Sequence, residues 1–288
     1  ADRPGPPLAG AVGAVRRGGD PVTRKLAELT GPQTLEVLTA DSVLLVPIGA
    51  IEHHGPHLPL VTDALIAEAA VEALVPRAVE AGIDAWQLPT LSIGKSDEHH
   101  WASGTLWLSA TTLFETLVDL GRSVATTPAR KLVFVNGHGG NVALLQVINR
   151  ELRRRFGLMV FSTGALQLPP DARDLAPDEL GLDIHGGSAE TSIVMHLRPD
   201  LVREEFFEPH VPTQMAGYEH IGFNGRPVTF GWLSDDFGPS GVIGDPTRAS
   251  AAAGKEFFEY GIGKGLEALA EIDRFSLPAR PGTETGTP

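Results

Sequence analysis

The 288-residue chain contains no cysteine. Disulfides, thiolate zinc sites and cysteine nucleophiles are therefore excluded. Any transition metal must be held by imidazole nitrogen and carboxylate oxygen, a donor set that suits zinc, manganese or iron. Basic charge is also short: 23 Lys and Arg stand against 36 Asp and Glu, a net charge of −13. That balance argues against a nucleic-acid binder, which needs a basic patch to meet phosphates, and against adhesion to anionic membranes. No apolar run reaches the roughly 18–20 residues of a membrane span. The first residues, ADRPGPPLAG, lack the basic-then-apolar order of a signal peptide. The expectation is a cytoplasmic protein acting on a small-molecule substrate, with no nucleic-acid or membrane partner. Two catalytic signatures are missing as well, G-x-S-x-G and H-E-x-x-H, and the glycine-rich stretch NGHGGN has neither the GxGxxG spacing nor the GK[ST] ending of a phosphate loop.

A hydrophobic content of 42% is enough to bury a substantial core. The reading is one domain over residues 21–277, with a flexible extension over 1–20 and a disordered tail over 278–288. Within the domain, short apolar runs alternate with helical patterns. Strands are expected at Val43–Ile48, Gln87–Ile93 (weakened by Pro89), Lys131–Val135 and Leu158–Ser162. Helices are expected from Asp63 to about Ala81, from Ser109 as N-cap to about Ala125, over Val142–Phe156, over Ala189–Leu197 and from Ala249 to Phe275. This alternation defines an α/β class with a central, mostly parallel sheet flanked by helices. In such sheets ligands bind beyond the carboxyl ends of the strands. Residues 166–187 and 208–246 are long, irregular and polar, and read as walls or lids of a pocket.

The chain's 10 histidines are unevenly spread. The stretch IEHHGPHLPLVTD (51–63) follows the first strand and holds three of them with Glu52 and Asp63. In an extended segment Glu52 and His54 share a side while His53 points away. His57 is expected to serve the hydrogen bonding of its own loop. Asp63 falls where the helix begins, a position that suits an anion whether or not it has another role. NGHGGN (136–141) follows the third strand and sets His138 among glycines. HGGSAET (185–191) brings His185 and then Glu190, a carboxylate entering a buried helix and so in need of a partner. SDEHHW (96–101) adds Ser96, Glu98 and His99. Together Glu52, His54, Asp63, His138 and Glu190 form an N/O set able to hold two divalent ions, with one carboxylate bridging. Paired ions support hydrolysis of a C–N amide bond, with His185 left to carry a proton to the leaving nitrogen.

The segments PIGAIEHHGPHLPLVTD, GKSDEHHWASGT, VFVNGHGGN and HGGSAETS resemble, in order, those of the creatininase (creatinine amidohydrolase) family, over roughly residues 40–275. The resemblance implies a layered α/β domain, often a hexamer, so a homo-oligomer is expected. It implies metal ligands at Glu52, His54, His138 and a bridging Asp63. Creatininase carries a further glutamate ligand where this chain has Gly140, and Glu190 is the replacement the sequence offers. Ser96 matches a substrate-contacting serine and His185 the catalytic histidine. The family's tyrosine beside the metal-binding histidine is Gly139 here, the residues that hold creatinine are Gly181–Ile184, and a Phe-Pro pair is Ala102–Ser103. These departures speak against creatinine itself.

The leading expectation is a metal-dependent amidohydrolase cleaving a non-peptide C–N bond, a cyclic amide or a formamide, with two divalent ions, zinc ahead of manganese or iron. Glu52, Asp63 and His138 would hold one ion, and His54, Asp63 and Glu190 the other. Ser96, Glu98, His99 and Gly139 would line the substrate pocket. The alternatives are a peptidase trimming a small precursor peptide and, from another class, a non-catalytic metal- or ligand-binding scaffold.

Overall fold

The computed structural model describes residues 23–170, 172, 181–223 and 226–278. The extension over 1–20, residues 279–288 of the tail and residues 171 and 173–180 of the insertion over 166–187 lie outside the described residues.

Strands β1 (Val43–Ile48), β2 (Ala85–Gln87), β3 (Lys131–Asn136) and β4 (Met159–Gly164) form one sheet in the order β2-β1-β3-β4, with every pairing parallel. Among the described residues the helices are α1 (Gly31–Val37), α2 (Thr62–Glu80), α3 (Ala110–Val124), α4 (Val142–Phe156), α5 (Ser188–Leu197) and α6 (Ala251–Arg274). Side chains alternate across each strand. Leu44, Val46 and Ile48 of β1 and Leu132 and Phe134 of β3 pack with Leu113 and Leu117 of α3 and Leu145, Ile148 and Leu152 of α4. Val43, Leu45, Val133 and Val135 face the other way, onto Val71 and Leu74 of α2 and Ile262 and Leu269 of α6. Each such side chain, fully buried, contributes about 1.5–3 kcal/mol to folding. The result is a sheet covered on both faces, the α/β class expected from the sequence.

Topology then fixes where a site can form. From β1 the chain crosses through α2 to β2 on one side, and then returns through α3 to β3 on the other side of β1. Right-handed crossovers in opposite directions put α2 on one face and α3 and α4 on the other. The carboxyl ends of β1 and β3 therefore diverge at a switch point and leave a crevice between their loops.

Local chemistry sets the boundaries. Ser109 caps α3 by accepting from Thr112 N at 3.2 Å, as the sequence predicts, and Ser250 caps α6 in the same way from Ala253 N at 3.2 Å. The expected strand over 87–93 is displaced: the ladder runs Ala85–Gln87 instead. Pro89 has no N–H to offer, so beyond it β1 keeps only an isolated bridge between Ile48 and Leu91.

Candidate active site

Glu52, His53 and His54 follow β1 in an extended run, closed at its base by Glu52 N donating to Leu60 O at 2.9 Å. Glu52 and His54 turn inward and are fully buried, while His53 turns away to Ser240 O at 2.8 Å and the edge of Trp101. Asp63 is the second residue of α2 and points into the same crevice. The loop after β3 passes tightly against that first turn: a Cβ on Gly137 would stand 2.2 Å from Asp63 O. Only glycine permits this approach, which delivers the next residue, His138, to the Asp63 carboxylate.

The four side chains converge. Asp63 Oδ1 lies 3.1 Å from His54 Nε2, and Asp63 Oδ2 lies 3.0 Å from His138 Nδ1. Glu52 Oε2 is 3.3 Å from His138 Nδ1, and Glu52 Oε1 is 3.9 Å from His54 Nε2. From the start of α5, Glu190 Oε2 reaches to 3.9 Å from His54 Nε2, steadied by Gly186 N at 2.7 Å. Two donor atoms bound to one ion at about 2.0–2.2 Å are themselves about 3–4 Å apart, which is the spacing seen here. Ligand-like groups form around His54, Asp63 and Glu190, around Glu52, Glu98 and His138, and around Glu52, His54 and His185.

Two further observations test the fit of cations. Glu52 Oε1 and Asp63 Oδ2 are buried yet accept no hydrogen bond, a cost of about 1–3 kcal/mol each unless a cation offsets it. Three carboxylates also share a space nearly closed to water, so positive charge must enter it. Without an ion, protons supply it. Burial works to lower the pKa of His54, but Asp63, Glu190 and Glu52 overcome it and raise the value to about 10. His138 is likewise raised well above its ordinary value, against burial, by Glu52 and Asp63. Asp63 is held far below the usual carboxylate range by the two histidines despite its burial. Burial, helped by Asp63, pushes Glu52 up against the pull of His138 and His54, and burial lifts Glu190 to about 7. The donor set fits a divalent cation.

His185 sits at the rim of this cluster. Its backbone is pinned against Ile243, and its Nε2 donates to His53 O at 2.7 Å. Nδ1 is thereby left as a lone pair, 3.6 Å from Glu52 Oε1. Burial, with His54 and His99 adjacent, drives its pKa well down. Its ring is layered against His54 and His99 at centroid separations of 4.2 and 4.1 Å.

The other residues singled out in the sequence are placed as follows. Ser96 is buried and donates to Glu52 Oε2 at 2.5 Å. His99 Nε2 lies 3.4 Å from Glu52 Oε1. Glu98 Oε1 lies 3.3 Å from His138 Nε2, the nitrogen facing away from Asp63. Gly139 borders open space, with nothing within 4 Å of where a Cβ would stand. His57 corrects the expectation for its loop: its Nε2 bonds Gly186 O at 2.9 Å and Thr191 Oγ1 at 3.2 Å, tying the first histidine loop to the start of α5. Asn141 is a contributor that the sequence reading passed over. Its Oδ1 accepts from Lys95 N at 2.9 Å, and its Nδ2 donates to Gly49 O at 3.0 Å and Asn136 Oδ1 at 3.1 Å. One buried amide thus fastens three site loops, and its only advance signal was its place at the end of NGHGGN.

Fold and site together define a parallel α/β domain with a buried histidine–carboxylate cluster at the switch point of its sheet. The family model for creatininase, described as creatinine amidohydrolase, matches residues 27–269. The chain belongs to the creatininase family and is a hydrolase of that family. It is 35% identical over 219 residues to the mycofactocin precursor peptide peptidase of Mycobacterium ulcerans, covering 75% of this chain and 79% of that protein. It is 34% identical over 199 residues to the creatinine amidohydrolase of Pseudomonas putida, covering 64% and 75%. A solved manganese form of creatininase superposes with a TM-score of 0.70 at 27% identity, covering 88% of this chain and all of that one. Among the described residues no helix is long and apolar enough to cross a membrane.

Proposed function

We propose that the chain is a two-metal amide hydrolase whose substrate is a short peptide. The observation that carries the metal reading is Asp63, whose two oxygens face His54 and His138 separately at 3.1 and 3.0 Å. That is the geometry of a carboxylate shared by two ions. Glu52, Asp63 and His138 would hold one ion, and His54, Asp63 and Glu190 the other. Manganese and zinc both suit these donors. Bound ions supply an acidified water and an electrophile for a carbonyl oxygen.

The protein's own groups do the rest. Ser96 holds Glu52 in place through Oε2, and His99 stands 3.4 Å from its other oxygen. His185, neutral and presenting Nδ1, accepts a proton and passes it to the departing nitrogen. Gly139 leaves the mouth of the site wide where the family's tyrosine would narrow it. That width, the loss of the creatinine-holding residues and the peptidase activity named for the Mycobacterium ulcerans relative favour a peptide over creatinine.

A second reading, hydrolysis of a non-peptide cyclic amide or formamide, draws on the likeness to the Pseudomonas putida enzyme and the shared His185. A panel of short peptides, creatinine, other cyclic amides and formamides, assayed with manganese- or zinc-loaded protein, separates the two. Turnover of peptides alone is the expected result. Turnover of the small amides alone would select the second reading. No turnover, with less than one ion bound per chain, would leave a binding scaffold.

A further inference from the structure

His138 has two nitrogens with different neighbours. Nδ1 faces Glu52 Oε2 and Asp63 Oδ2, while Nε2 faces Lys95 O at 2.8 Å and Glu98 Oε1 at 3.3 Å. A carbonyl oxygen can only accept, so the Nε2 proton points to this side, and neutral His138 turns a bare Nδ1 toward the cluster. Glu98 adds negative charge behind the ring, which raises the basicity of Nδ1. The main chain that carries Glu98 is braced as well: Ser234 Oγ donates to the backbone carbonyl of Glu98 at 3.3 Å and itself accepts from Trp101 Nε1 at 2.8 Å.

Gly140 is the counterpart of this arrangement. A Cβ there would lie 2.4 Å from Glu98 Oε1, 2.4 Å from His138 Nε2 and 2.4 Å from Lys95 O. Its backbone does not occupy the left-handed region, so conformation does not demand glycine here. Space does. Any side chain at 140 would evict the Glu98 carboxylate or push His138 off its line.

We propose that Glu98 is a positioning residue for His138, and that Gly140 is bare to make room for it. The pair holds the Nε2–H form of His138, aims Nδ1 at Glu52 and Asp63, and strengthens that one of the two ion positions. Glu98 therefore belongs to the far side of the metal ligand, not to the wall of the substrate pocket. The inference rests on the two-ion reading above.

The test measures metal binding, not turnover. Wild type, Glu98→Gln, Glu98→Ala and Gly140→Ala are titrated with Mn²⁺ or Zn²⁺ against a competing chelator, with ion content taken by elemental analysis. In all three variants one binding step should weaken by about 10–100-fold while the other stays put. ¹⁵N NMR of the Zn²⁺-loaded protein should show the His138 Nε2–H signal, hydrogen-bonded in wild type, shifting and exchanging faster in Glu98→Ala. Glu98→Gln keeps the shape and removes the charge, so it reports even if Gly140→Ala folds poorly. Wild-type affinity at both steps in both Glu98 variants overturns the proposal. So does outright loss of one ion at millimolar metal, which would make Glu98 a direct ligand. Fewer than two ions on wild type overturns the two-ion reading and this one with it.

Discussion

Asp63 Oδ1 lies 3.1 Å from His54 Nε2, and both side chains are shut away from solvent. The second oxygen of the same carboxylate faces His138, so Asp63 cannot be replaced by a group with one acceptor. Asp63→Asn turns one of those two oxygens into an N–H donor. The variant is expected to bind at most one ion per chain. Turnover should fall by several kcal/mol of lost stabilisation, roughly 10³-fold. Elemental analysis beside an activity assay checks this. A fully loaded, active Asp63→Asn protein would remove the bridging role.

Ion uptake should also release protons. Without metal, the carboxylates around them raise the pKa of His54 to about 10 and that of His138 well above its ordinary value, so both hold a proton more tightly than a free imidazole does. Ligation needs them neutral. Adding metal in weak buffer at pH 7 should therefore release at least about one proton per chain, read with an indicator dye. The same shifts set the pH dependence of the chelator-treated protein. A raised folded pKa contributes stability that is complete below the unfolded value of about 6.5 and is lost as pH rises through about 10. Its melting temperature should fall across that window, while metal affinity climbs. A flat melting profile from pH 7 to 10 would contradict the paired, protonated state of His54.

Asn141 gives a prediction on stability. It hydrogen-bonds groups that follow β1, β3 and the 94–96 segment, and it is fully buried. Asn141→Ala leaves Gly49 O and Lys95 N without that partner. The expected loss is about 2–4 kcal/mol, visible in a denaturant titration. Because the three loops carry Glu52, His138 and Glu98, weaker metal binding should accompany it. A change under about 0.5 kcal/mol would mean that the loops are held together elsewhere.

The parts of this protein that were legible in its sequence are those with a local signature. VLLVPI and KLVFV are apolar on both sides because helices cover both faces of the sheet. Glu52 and His54 share a side because an extended chain alternates. Ser109 caps a helix because its hydroxyl can reach an N–H three residues on. What could not be read has its cause far along the chain. His57 bonds residues 186 and 191, and His185 bonds the carbonyl of residue 53. No spacing within a loop encodes such partners. Glu98 was grouped with the substrate pocket because SDEHHW follows a strand end, but only the folded chain brings it behind His138 and above Gly140. The strand near 87 was misplaced by a few residues because apolar character runs past the point where Pro89 ends the ladder.

His185 separates proton transfer from metal binding. Its Nε2–H is committed to His53 O at 2.7 Å, so Nδ1 is the atom free to act, and its depressed pKa keeps that atom unprotonated near neutral pH. His185→Gln can retain a hydrogen bond to the His53 carbonyl but cannot carry a proton between water and a leaving nitrogen. Ion content should stay at the wild-type level while kcat falls by about 10²–10⁴-fold. The acidic limb of the pH–rate profile that reports a protonated, inactive His185 should disappear with it. Glu52, His54 and His185 also lie close enough to hold an ion among themselves. In that arrangement the Gln variant would lose an ion together with its activity. Measuring both quantities on one preparation decides between a proton carrier and a ligand.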